Sequence, residues 1–129
     1  MRFLLLLACL AVVWFQPAQA EMFDDWTAWD LGREAAFLTF LVIDIGQTKD
    51  SYARFGHDDE KRWCDKNPIV GCEPSNARLN TILIGTAVAH ILLTDYLDQP
   101  WRQIFQIATI YTEGVVALRN WSIGLRVRY

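Results

Sequence analysis

The stretch AAFLTFLVIDIGQTKD, residues 35–50, begins as an apolar helix and then sets Asp44 a few residues before its end. Its opening is the pattern of a helix suited to lipid. The expected first helix is Leu31 to Gly46, with Asp44, Gln47 and Thr48 together on its last turn. A charge at a bilayer centre costs on the order of 3 kcal/mol, so a carboxylate near the interface is the cheaper placement.

Two further apolar runs follow, Leu79 to Leu97 and Pro100 to Leu118, and Pro100 suits the first turn of a helix. Only Asp98 and Gln99 stand between them, so the second and third helices are expected to form an antiparallel hairpin. Trp26, Trp29, Tyr96, Trp101 and Trp121 fall near helix ends, where a membrane's aromatic belt lies. The expected fold is all-α: a small membrane bundle of three helices with a polar loop over 47–78. The tail, Trp121 to Tyr129, alternates apolar and polar residues and reads as a short strand-like, interfacial segment.

Composition agrees with a membrane setting. The chain has 129 residues, one domain at most, and 53% of them are hydrophobic. A formal net charge of -3, with no clustered basic surface, argues against nucleic acid as a partner. Residues 1–20 read as a signal peptide: Arg2, an apolar run from Phe3 to Phe15, Pro17, then the small-x-small site Ala18-Gln19-Ala20. Cys9 would leave with it, and residues 21–129 form the membrane domain.

Export would put the mature N-terminus outside, and three crossings would carry the loop and tail inside with Lys49, Arg54, Lys61, Arg62, Lys66, Arg78, Arg119, Arg126 and Arg128. Arg33 and Arg102 alone stay outside. Cys64 and Cys72 then lie on the reducing side as free thiols. In a two-span alternative the first helix lies on the membrane, and a periplasmic loop is closed by a Cys64–Cys72 disulfide.

Each helix carries a polar face. Thr86, His90 and Thr94 share one in the second helix, beside a small-residue stripe of Thr81, Gly85 and Ala89; Gln103, Gln106, Thr109 and Glu113 share one in the third. Asp44, His90 and Glu113, with Gln106, are the intramembrane candidates, since carboxylate and imidazole carry protons and bind cations. The competing reading is interhelical hydrogen bonding that fixes register, and it is preferred because no His-x-x-x-His pair exists and one histidine is thin for a transition metal. No metal site or cofactor is expected. His57-Asp58-Asp59-Glu60 reads as solvated surface, and no nucleophile elbow, phosphate loop or triad motif occurs.

Asp44-Ile45-Gly46-Gln47-Thr48 and Asp65-Lys66-Asn67-Pro68-Ile69-Val70-Gly71 together resemble small bacterial and phage-borne membrane proteins of unknown function, which pair an Asp-x-x-x-Thr helix end with an acid-x-Asn-Pro-aliphatic turn. The resemblance implies a membrane protein and no particular activity. Asn67 ahead of Pro68 is held extended and can cap a turn, so Asp65, Asn67 and Pro68 are expected to dock the loop onto Asp44 and Thr48. The expectation is a bacterial inner-membrane protein, with the periplasm or outer membrane as alternatives. Its role is structural, accessory or partner-binding, and its partners are lipid and a larger membrane protein or further copies of itself. Two competing classes are an intramembrane enzyme or proton, ion or metal handler using Asp44, His90 and Glu113, and a soluble exported helical protein.

Overall fold

A computed structural model describes residues 22–56, 64–65 and 67–129. The signal-peptide segment, the run His57–Glu60 and the cations Lys61, Arg62 and Lys66 lie outside the described residues. Three helices carry the fold: α1 (Ala28–Phe55), α2 (Asn76–Tyr96) and α3 (Trp101–Ser122). No strand occurs among the described residues.

α1 starts at a capping box, in which the Thr27 hydroxyl accepts from the Asp30 N–H while the Asp30 carboxylate accepts from the Thr27 N–H. It does not stop at Gly46. The polar residues beyond remain helical, braced by Asp50–Arg54 at 2.9 Å one turn apart, until Gly56 donates its N–H to the Tyr52 carbonyl. The helix therefore has 28 residues, about 42 Å of rise, and the segment expected as loop from 47 shrinks to 56–75. α2 begins ahead of the expected Leu79, because the Ser75 hydroxyl caps the Arg78 N–H. Pro100 stands immediately before α3 as its N-cap residue.

α1 is the central element. α3 packs along it most extensively and α2 next, whereas α2 and α3 touch each other little despite the short link between them. The two helices joined by the short link keep some contact with each other, but each packs chiefly on α1. A small core of Ile45, Val70 and Leu79, flanked by Ile82 and Leu83, closes the lower end of the α1–α2 interface.

Cys64 and Cys72 are joined by a disulfide, which overturns the expectation of free thiols. The local turn explains the pairing: Val70 and Gly71 donate to the Asn67 carbonyl, Asp65 donates to Gly71, and Gly71 takes a φ of +74°. This brings both cysteines opposite each other.

The tail is extended but joins no sheet. It folds back on the end of α1, where Arg128 N–H meets the Gly46 carbonyl at 3.0 Å and Arg126 N–H meets an Asp50 carboxylate oxygen at 2.9 Å. With these partners its polar groups need no neighbouring strand. Gly46 permits the approach, since a Cβ there would stand 2.6 Å from Val127 Cγ1.

Beside the apolar residues Phe37, Leu41 and Ile45, many polar side chains are buried and many large apolar ones are exposed. Asp30, Glu34, Gln47, Thr94, His90, Arg102 and Gln106 are buried, while Ile84, Val88, Leu92, Ile104, Ile107, Val115 and Leu118 are exposed. Among the described residues α2 is the helix long and apolar enough to cross a membrane, and only 17% of its apolar window is covered by the rest of the chain.

Candidate functional site: a buried polar stripe

His90 is the hub. Its ring lies between those of Phe37 and Phe105, with centroids 3.5 and 4.7 Å away. Nδ1 is 2.8 Å from Glu34 Oε1, and Nε2 is 2.8 Å from Thr109 Oγ1, so one side chain ties all three helices. Thr94 and Gln106 donate to the other Glu34 oxygen at 3.3 and 3.2 Å. Gln106 also donates to the Asp30 carbonyl and accepts from Arg33, whose guanidinium pairs with Asp30. Every polar end of Gln106 is satisfied, as full burial demands.

Glu34, His90 and Thr109 have the spacing of an acid–imidazole–hydroxyl relay. Thr109 Oγ1 also lies 2.9 and 3.0 Å from the carbonyls of Phe105 and Gln106, so the backbone offers its hydrogen acceptors besides Nε2.

Above the hub, Arg102 is buried at 1% exposure and closes the end of α2. Its Nε donates to the carbonyls of Thr94 and Leu97, and Nη2 donates to both Asp25 oxygens at 2.9 Å. Orphan carbonyls at a helix C-terminus and a buried guanidinium thus answer each other's needs. Asp95 fastens the lead, accepting from Trp26 Nε1 and Phe23 N–H.

Of the residues singled out from sequence, His90 and Gln106 are central. Asp44 lies lower on the stripe, where it accepts from Asn120 Nδ2 at 3.1 Å and not from Asn67. Asn67 instead caps Ile69 within its own turn, Asp65 accepts from the Asn67 N–H, and Pro68 is exposed in that turn. The loop does dock, but through Val70 against Ile45 and Leu79; the apolar residue after the Asn-Pro pair makes the contact that the polar pair was expected to make. Thr48 is buried at the same end of α1. Glu113 is half-buried between His90 and Asp44, within electrostatic reach of both, and none of the hydrogen bonds among the described residues reaches it. Gln47 donates to the Ala117 carbonyl and leaves its own buried oxygen without a partner among the described residues. The stripe of Thr81, Gly85 and Ala89 is exposed, with no helix against it among the described residues.

Sequence reasoning passed over Glu34, Asp30 and Arg102. The available signal was the register: 30, 34, 37, 41, 45 and 48 share one face of α1, so the acidic pair continues the stripe that Phe37 and Leu41 bury.

No group of three or more His, Cys, Asp or Glu side chains among the described residues is arranged to hold a metal ion. A cavity of about 240 Å³ opens at the far end, between Lys49, Tyr52, Asn76 and Arg128, away from His90. No protein-family model, curated protein or solved structure matches the chain.

Proposed function

We propose that this is a small integral membrane protein with a structural, accessory or partner-binding role, whose polar stripe holds three membrane helices in one register. The observation that carries the reading is the placement of polar and apolar groups: Glu34, His90 and Gln106 are sealed inside while Ile84, Val88, Ile104, Ile107 and Leu118 face outward. In water this arrangement would expose a large apolar surface and desolvate charges for little return; in lipid it is the arrangement that costs least. The rise of α2 and α3, about 32 and 33 Å, suits a hydrocarbon core of about 30 Å.

The Cys64–Cys72 disulfide supports a loop facing an oxidising compartment. The Lys and Arg count favours the opposite orientation, and we follow the bonded sulfurs: loop and tail lie on the oxidising face of a bacterial inner membrane, with the start of α1 on the other face, an orientation in which residues 1–20 do not act as a cleaved export signal. This fits the small bacterial and phage-borne membrane proteins that the loop motifs resemble. The hydrogen-bonded Thr109 hydroxyl supports a packing role for the His90 hub over a catalytic one.

Washing native membranes with alkaline carbonate tests the reading. Retention in the pellet is the expected result, and release into the supernatant would leave the soluble exported class.

A further inference from the structure

Building on the membrane reading, we propose that Glu113 is the docking point for a basic residue on a transmembrane helix of another protein, which enters a wedge between α2 and α3. The wedge begins at the tie between His90 Nε2 and Thr109. Four residues before His90 on the same face, Thr86 is exposed; four residues after Thr109, Glu113 is only half-buried. α2 and α3 touch each other little, and among the described residues no atom lies within 4 Å of a Cβ built on the neighbouring Gly85. α1 closes the floor of this gap, with the Phe40 ring 3.7 Å from a Cβ built on Gly114.

Charge identifies the occupant. Asp25, Asp30 and Asp50 each have a guanidinium partner in Arg102, Arg33 and Arg54. The middle of the bundle holds Glu34, Asp44 and Glu113 against the single imidazole of His90. His90 is committed to Glu34 and Asp44 to the neutral Asn120 amide. Glu113 is the carboxylate that none of the hydrogen bonds among the described residues reaches, and a carboxylate at mid-depth facing lipid is costly until a cation meets it. A second copy of the chain does not supply one, for no Lys or Arg occurs between Leu79 and Trp101 or between Gln103 and Leu118, and α1 has none from Glu34 to Thr48. The complementary partner is a different membrane helix carrying Lys or Arg near its midpoint.

The test reconstitutes the full-length protein in phosphatidylcholine vesicles with a fluorescent leucine-rich transmembrane peptide bearing one central Lys, and measures energy transfer to a label on the protein. The Lys peptide is expected to reach half-maximal transfer at a peptide-to-lipid ratio on the order of ten-fold lower than an all-Leu peptide. Glu113→Gln should abolish that preference without moving the thermal unfolding midpoint. Thr86→Trp, which fills the wedge and leaves the carboxylate, should abolish it as well. Equal transfer for Lys and Leu peptides, or a preference that survives either substitution, overturns the proposal. Failure of the protein to stay with carbonate-washed vesicles is a separate result and would remove the membrane reading itself.

Discussion

The carboxylate of Glu34 and the imidazole of His90 meet at 2.8 Å, with both side chains at least nine-tenths shielded and an aromatic ring on each face of the imidazole. Removing one member strands the other together with Gln106 and Thr94. Glu34→Leu should therefore cost about 3 to 5 kcal/mol, the usual penalty for a buried charge left without its partner. The double change Glu34→Leu with His90→Leu should cost clearly less than the sum of the two single changes. Thermal unfolding in mild detergent reads both, and additive losses would mean that the pair is not coupled.

Asp44 tests how the lower stripe is wired. Its partner in the structure is Asn120, and Asn67 is occupied in its own turn. A double-mutant cycle of Asp44→Leu with Asn120→Ala should be non-additive, each single loss costing about 1 to 3 kcal/mol. The same cycle with Asn67→Ala should be additive; coupling there would restore the loop-capping arrangement expected from the sequence.

The tail should come off in acid. The Arg126 N–H holds the Asp50 carboxyl below its usual value of 3.8, against the opposing effect of burial and with help from Arg54 and Arg128. A depressed carboxyl stabilises the docked tail at pH values above 3.8, and that contribution disappears as pH falls through the lower, folded value. Fluorescence from a dye at the C-terminus should stay constant from pH 7 to about 5 and change only below about 4. Asp50→Asn should flatten the profile and leave the tail at neutral pH about as loose as the wild-type tail in acid.

The disulfide predicts topology. A membrane-impermeant maleimide added to intact spheroplasts should leave Cys64 and Cys72 unlabelled until an impermeant reductant is supplied, and should then label both. Labelling that requires permeabilising the membrane would put the loop on the reducing face, as the Lys and Arg count expects.

The three helices were legible in the sequence because hydropathy and periodicity are local properties, and His90 and Gln106 were legible because helical spacing assigns a face. Gly46 misled in two ways. As a glycine next to polar residues it looked like a helix end, yet it sits inside α1 as the surface on which Val127 and Arg128 rest. That role depends on a tail about 80 residues away and has no local signature. Arg102 read as an exterior charge for the same reason: its guanidinium is answered by Asp25 ahead of α1 and by the carbonyls of Thr94 and Leu97 at the end of α2, and pairing between distant segments is not written in the spacing of either one.

Arg102 also imposes an order on biogenesis. Asp25 stands ahead of α1, and the guanidinium that clamps it arrives 77 residues later. While α1 and α2 leave the ribosome, Asp25, Glu34 and the terminal carbonyls of α2 have yet to receive the donors that Arg102 and Gln106 supply. A nascent chain ending at Leu97 is therefore an incomplete pair of helices with unanswered acceptors. The lead can already bond to Asp95, but its Arg102 clamp arrives only when the first turn of α3 has been translated.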